Sequence, residues 1–172
     1  KRTVPLRPVV FDLVAHYEQR IRDGQRHRNP VYAAMIHNLD ENVGRVLAKL
    51  VQRGLADRSL VVFTSDNGGT HGDNFPLRGK KGMFTEGGVR VPLIAYWPGV
   101  IPPNTITDYM VHSVDYYPTY LELAGNKWLP PEAEHPLDGR SFAEVLRKPD
   151  ARPGRKPVFY LFPGYLDVRA QP

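Results

Sequence analysis

The sequence contains no cysteine, which excludes disulfides, thiolate metal sites and a cysteine nucleophile among its 172 residues and leaves the redox compartment open. No apolar run approaches the roughly 20 residues that cross a bilayer as a helix, so a soluble chain without a membrane partner is expected. The chain opens "KRTVPLRPVV" without an initiating Met and is expected to be processed or a piece of a longer protein. A basic tract interleaved with aromatics is also missing. The 23 Lys and Arg exceed the 18 Asp and Glu only mildly and are spread along the chain, which favours anionic partners but argues against nucleic acid. There are no internal repeats. What is there, 41% apolar and 10% aromatic residues, suits one globular domain with its own core. The loop at 126–139 is the one candidate boundary, and none is placed there.

Apolar residues Phe11, Val14, Tyr17 and Ile21 recur at helical spacing, which predicts a short amphipathic helix closed by Gly24. Asn29-Pro30 then offers a capping side chain followed by a proline at the first helical position, where a missing N–H costs nothing. The helix that follows carries Tyr32, Met35, Ile36, Leu39, Val43, Val46, Leu47 and Leu50 on one stripe and ends at Gly54. "LVVFT", Leu60 to Thr64, is continuously apolar, which predicts a strand buried on both faces, and Leu93 to Trp97 predicts a second. Helix followed by buried strand points to a parallel α/β sheet. Downstream the pattern predicts a helix from Pro118 to Ala124 capped by Gly125, then a proline-rich surface loop. A short helix follows in "SFAEVLRK", with Ser141 as N-cap and Glu144 completing a capping box, and "PVFYLF" predicts a last strand.

Between the two apolar strands lies "SDNGGTHGDNFPLRGKKGMFTEGG". In open parallel sheets ligands bind beyond the carboxyl ends of the strands, where Asp66-Asn67 stands. A carboxylate and an amide carbonyl are hard oxygen donors, suited to calcium and, as second choice, magnesium, and Gly68-Gly69 permits the turn that aims both outward. Two ligands do not complete a shell of six or more oxygens, so others come from elsewhere. The same residues are also the commonest turn formers. "PLRGKKGMFTEGG" shifts the balance, because Arg78, Lys80 and Lys81 set between glycines bring cations and backbone N–H groups toward an oxyanion; a solvated basic loop is the plain alternative. His71 follows closely enough to face such a site, although a lone loop histidine is more often solvated. Arg78 binds either the anion or a carbonyl of its own loop. Glu86 and Arg90 read as an ion pair fixing the loop. His16, His27 and His37 read as surface residues. His112 and Asp115 shape a pocket rim or, equally, the aspartate caps a helix. Tyr116, Tyr117 and Tyr120 read as packing rather than a stacking platform.

Together "LVVFTSDNGG" and "PLRGKKGMFTEGGVRVPLIAYWPG" resemble the formylglycine-dependent sulfatase family, of the bacterial arylsulfatase-like type. "NPVYAAMIHNLDENVGRVLAKL", "SVDYYPTYLELAG" and "LDGRSFAEVL" extend the resemblance along most of the chain. It implies an alkaline-phosphatase-like α/β sandwich with a mostly parallel central sheet, in agreement with the hydrophobic pattern. It also implies that Asp66 and Asn67 are the second pair of calcium ligands. Lys81 then contacts the sulfate ester and stabilises charge developing on the sulfate or its leaving oxygen, with Arg78 and His71 as neighbouring substrate-binding candidates. The implied substrates are aryl or carbohydrate sulfate esters, the implied nucleophile a hydrated formylglycine that attacks sulfur, and the implied location periplasmic, extracellular or lysosomal.

Formylglycine is made from the Cys or Ser of a C/S-x-P-S-R motif, which this sequence lacks. The first Asp-Asp calcium pair and the upstream lysine and histidine of the family are also not found, and Arg2 stands where another family histidine is expected. Residues 1–172 are therefore expected to form a partial catalytic domain, without the N-terminal nucleophile segment and the C-terminal small sheet, and to be inactive alone. The missing N-terminal part then counts as a partner. Two other readings use the same residues: a phosphoesterase or phosphonate hydrolase of the same superfamily, and a non-catalytic, calcium-dependent module for sulfated glycans.

Overall fold

The computed structural model describes residues 7–70, 73–125, 137–155, 157–160 and 169–171. His71 and residues 126–136 of the proline-rich loop lie outside them. The chain groups into two compact units, residues 1–59 with 63–94 and residues 60–62 with 95–172.

In the first unit helix α1 (Arg7–Glu18) packs on helix α2 (Pro30–Gln52). Tyr17 Oη and His37 Nδ1 meet at 3.1 Å between them. The start of α2 is the one expected: Asn29 is extended, its Oδ1 accepts the Tyr32 N–H at 2.9 Å, and Pro30 follows. Its end is also as expected, with Gly54 at φ +62° and the Leu55 N–H donating to the Leu50 carbonyl at 2.9 Å. Helix α1 differs: it ends at Glu18 rather than near Gly24. The Arg22 guanidinium donates to the carbonyls of Gln19 and Ile21 at 2.9 and 3.2 Å, satisfying acceptors that another helical turn would have used. Gly24, at φ +84°, belongs to the turn beyond.

The stripe along α2 has the predicted spacing without the predicted cover. Ala34 is buried, yet Met35 and Val46 are each 59% exposed, and Ile36 and Leu39 are exposed as well. Strands β1 (Val61–Thr64) and β2 (Leu93–Tyr96) pair in a two-stranded sheet. Neither is buried on both faces, since Phe63, Ile94 and Tyr96 are exposed and their neighbours half-buried. A continuous apolar run shows that a strand tolerates burial on two faces, whereas burial itself needs a layer on each.

In the second unit a 3-10 turn (Ser113–Asp115) leads into helix α4 (Tyr116–Leu123), which begins two residues before the expected Pro118 and ends ahead of Gly125 at φ +74°. Helix α5 (Ala143–Arg147) carries the core: Phe142, Val145 and Leu146 are buried, with Leu60, Ala95, Val111, Tyr116 and Leu123 packed against them. The N-cap of α5 is Phe142, not Ser141, and no capping box forms. The Phe142 N–H is bound to Thr119 Oγ1 at 3.0 Å and its ring is in the core, while Ser141 Oγ accepts from the Ala143 N–H at 3.2 Å. Tertiary packing thus displaced the local cap. Strand β3 (Val158–Tyr160), expected, pairs antiparallel with β4 (Arg169–Gln171), which the pattern did not predict; Phe159 stands opposite Ala170.

Asp115 resolves to a structural role. It is 1% exposed, accepts from the backbone N–H of His112 at 2.7 Å and of Arg140 at 2.9 Å, and forms an ion pair with Arg155. Its own carbonyl accepts the Thr119 hydroxyl at 2.6 Å. The aspartate therefore joins the turn before α4 to the segment before α5. Tyr116 stacks on Tyr120 with ring centroids 5.9 Å apart and meets Phe142 edge-on, the packing role expected of these two, whereas Tyr117 is exposed.

Candidate functional site

The loop after β1 and the lysine loop both lie within the first unit. Strand β1 is held at its end by Thr64 Oγ1, which donates to the Pro92 carbonyl at 2.9 Å, and Ser65 Oγ donates to the Asn67 carbonyl at 2.9 Å. The chain then turns through Gly68, whose N–H donates to the Gly88 carbonyl at 2.9 Å. Gly68 is buried, and a Cβ there would overlap the carbonyl of Gly87. Gly87 in turn would overlap the carbonyl of Gly79, and its N–H donates to the Arg78 carbonyl at 2.7 Å. Three glycine-bearing segments therefore meet backbone to backbone, with no side chain of their own between them.

Within this frame the Lys81 N–H donates to the Gly69 carbonyl at 3.2 Å, which ties the lysine directly to the turn that begins at Asp66. Lys80 instead closes a local turn, its carbonyl accepting from Met83 at 3.0 Å. Gly79 and Gly82, at φ +87° and +82°, bracket the pair. A short helix α3 (Glu86–Val89) follows, and the expected Glu86–Arg90 ion pair is present at 3.0 Å. Asp66, Arg78, Lys80 and Lys81 are exposed and Asn67 is half-buried. Among the described residues none of these side chains is tied to another by a hydrogen bond or ion pair. The Arg78 guanidinium accordingly holds no loop carbonyl there.

The residue that sequence pattern does not single out is Asn74. Its Nδ2 lies 3.1 Å from the Gly69 carbonyl, 3.0 Å from that of Gly79 and 3.1 Å from that of Gly87. An asparagine beside Phe75-Pro76 reads as one more turn residue, and nothing local shows that three distant carbonyls converge on it.

The donor chemistry fits a hard cation in part. The Asp66 carboxylate and the Asn67 amide oxygen are both uncommitted among the described residues and leave one turn together. No group of three or more His, Cys, Asp or Glu gathers among the described residues, so further ligands would be supplied from outside them. A separate groove of about 630 Å³ lies between α1, the turn at 26–29 and α2, lined by Tyr17, Arg26, His27, Tyr32, His37 and Asp40. Several of its polar groups are engaged internally: Arg26 pairs with Asp73 at 3.1 Å and lies 3.7 Å over the Phe75 ring, and His37 meets Tyr17 and, at 3.3 Å, Glu41. The glycine loops set exposed cations, Arg78, Lys80 and Lys81, beside the exposed acid Asp66.

Comparison with known proteins bears directly on these loops. The family model described as Sulfatase matches residues 12–126, which contain Asp66, Asn67 and Lys81. A "Sulfatase" of Formosa agariphila is 45% identical over 174 residues, covering 94% of this chain and 31% of its own length. Among solved structures, Ps i-CgsB in complex with k-i-k-neocarrahexaose matches with a TM-score of 0.78 at 31% identity, over 98% of this chain and 38% of that one. BT4656, solved with its substrate D-glucosamine-2-N,6-O-disulfate, matches with a TM-score of 0.64 at 26% identity, over 91% and 33%.

The fold is thus part of the alkaline-phosphatase-like α/β architecture. The chain belongs to the sulfatase family. It spans 31% to 38% of the length of these relatives.

Proposed function

We propose that this chain supplies part of the active site of a sulfatase that hydrolyses sulfate esters, with sulfated carbohydrates as the substrate class. The observation that carries the reading is the Lys81 N–H bond to the Gly69 carbonyl at 3.2 Å, which holds a cation-bearing loop against the turn that starts at Asp66. The carbohydrate class is supported by BT4656, whose substrate is a disulfated glucosamine.

In this reading Asp66 and Asn67 hold calcium through their side-chain oxygens, together with ligands from outside the described residues. Calcium, when bound, supplies Lewis-acid withdrawal of charge from the sulfate oxygens. Lys81 offers an ammonium where negative charge grows on the sulfate or on the leaving oxygen, and its backbone tie to Gly69 keeps that ammonium's stem beside the ligand turn. The exposed Arg78 adds a second cation at the loop's mouth. The buried glycines Gly68, Gly87 and Gly88 let the loop backbones approach where any Cβ would collide with a carbonyl. The nucleophile, a formylglycine in the family that the sequence resembles, lies outside this chain. An exported location, periplasmic, extracellular or lysosomal, belongs to the same reading; among the described residues no helix is long and apolar enough to cross a membrane.

The test is steady-state hydrolysis by the full-length protein of an aryl sulfate and of sulfated glucosamine, before and after calcium is removed by chelation. Sulfate ester turnover that is lost on chelation and restored by calcium is expected. Turnover of phosphate esters with sulfate esters inert overturns the reading.

A further inference from the structure

The three segments that build the candidate site are separated in sequence and meet through backbone that is mostly glycine. Direct bonds join them in pairs: Gly68 N–H to the Gly88 carbonyl, Lys81 N–H to the Gly69 carbonyl and Gly87 N–H to the Arg78 carbonyl. Among the described residues Asn74 alone reaches all three by its side chain. Its Nδ2 stands 3.0 to 3.1 Å from the carbonyls of Gly69, Gly79 and Gly87, which belong respectively to the Asp66-Asn67 turn, the lysine loop and the Glu86-Gly87-Gly88 turn.

Carbonyls only accept, so the amide nitrogen rather than the oxygen must face them, and its two N–H bonds are shared among the three. The Gly69 carbonyl is the junction. It accepts from both Lys81 N–H and Asn74 Nδ2, so both of its lone pairs are engaged. Asn74 is itself anchored from two sides. Its carbonyl accepts from the Leu77 N–H at 2.8 Å, and the preceding Asp73 accepts from the Phe75 N–H at 2.9 Å while pairing with Arg26.

We propose that Asn74 is a positioning residue of the sulfate ester site: its amide keeps the Asp66-Asn67 turn and the Lys81 loop in one register, so that cation and ammonium act on the same anion. This rests on the function proposed above. An amide of this length places its NH₂ donor among three acceptors. A carboxylate there has the same shape but no N–H, and sets negative charge against carbonyl oxygens. Glycine segments freed from the clasp have no side chains to hold their spacing, and a shift of about 1 Å at a catalytic group is enough to lower turnover about 100-fold.

The test is a double-mutant cycle in the full-length protein at saturating calcium, comparing wild type, Asn74→Asp, Lys81→Ala and the pair on one sulfate ester, with the folded state of each followed by circular dichroism. The expected result is a fall in kcat of about 100-fold for Asn74→Asp with KM little changed, and a fall of less than about threefold when the same substitution is made on Lys81→Ala. An equal fall in both backgrounds means that Asn74 only supports the fold, and overturns the proposal; so does wild-type turnover in Asn74→Asp. Should the aspartate variant not fold, Asn74→Ser, which keeps one donor, takes its place in the cycle: a fall confined to the Lys81 background supports the proposal, and an equal fall in both or none at all overturns it. Wild-type protein that hydrolyses no sulfate ester sinks the proposed function and this inference together, whereas active wild type with an unaffected Asn74 variant sinks the inference alone.

Discussion

Lys80 and Lys81 are adjacent, equally cationic and both exposed, yet the backbone treats them differently. The Lys81 N–H is bound to Gly69, three residues beyond Asp66, while Lys80 closes a turn onto Met83. If charge stabilisation belongs to Lys81, then Lys81→Ala lowers kcat of the full-length protein by about 10²- to 10³-fold, whereas Lys80→Ala leaves it near wild type. Similar losses in the two variants would remove the distinction. His112 presents a different residue-scale consequence. Burial holds its pKa below the ordinary histidine value, the Coulombic effects of Asp115 and Arg155 pull it up and down respectively, and its Nδ1 accepts from the Val114 N–H at 3.4 Å. With a lowered folded pKa the unfolded chain takes up the proton first as pH falls. Stability is therefore complete above about pH 6.5 and declines below it as the ring is forced to charge. Thermal midpoints measured from about pH 7 to about pH 5 should fall more steeply for wild type than for His112→Asn, which keeps an acceptor but does not titrate. Parallel slopes would contradict this.

Elements in this chain obey local rules where the cap is local and abandon them where packing intervenes. Asn29-Pro30 starts α2 as its chemistry demands, because the capping bond to Tyr32 spans three residues and depends on nothing else. The spacing of the α2 stripe was equally legible, but its exposure was not, since burial depends on a facing layer that periodicity does not describe. Ser141 had the capping signature and lost the position to Phe142, whose ring and N–H are both claimed by the second unit's core. The same division holds at the candidate site. Asp66, Asn67 and Lys81 stand out by residue type between glycines, while Asn74 is recognisable only from three carbonyls that come together in space. Asp115 shows what such a long-range tie contributes. Replacing it with Ala leaves the mostly buried Arg155 without its carboxylate partner and two backbone N–H groups without theirs, and should destabilise the fold by about 3 kcal/mol in denaturant unfolding. A loss near zero would mean that water or another acid replaces it.

At the scale of the molecule, a formal net charge of +5 is spread along the chain, so attraction of an anionic substrate is general and selection must come from the site. Family membership and fold follow from the match over residues 12–126 and the TM-score of 0.78. The chemistry depends on a narrower claim: one hard cation held by Asp66 and Asn67 shares its bound oxyanion with Lys81. Solving the full-length protein with calcium and inorganic sulfate bound tests that claim most directly. The account predicts side-chain oxygens of both residues at about 2.3–2.6 Å from a single calcium ion, and Lys81 Nζ at about 2.7–2.9 Å from an oxygen of the sulfate that the ion binds. A calcium ion held by other ligands with Asp66 and Asn67 turned to solvent, or a sulfate beyond the reach of Lys81, would contradict it.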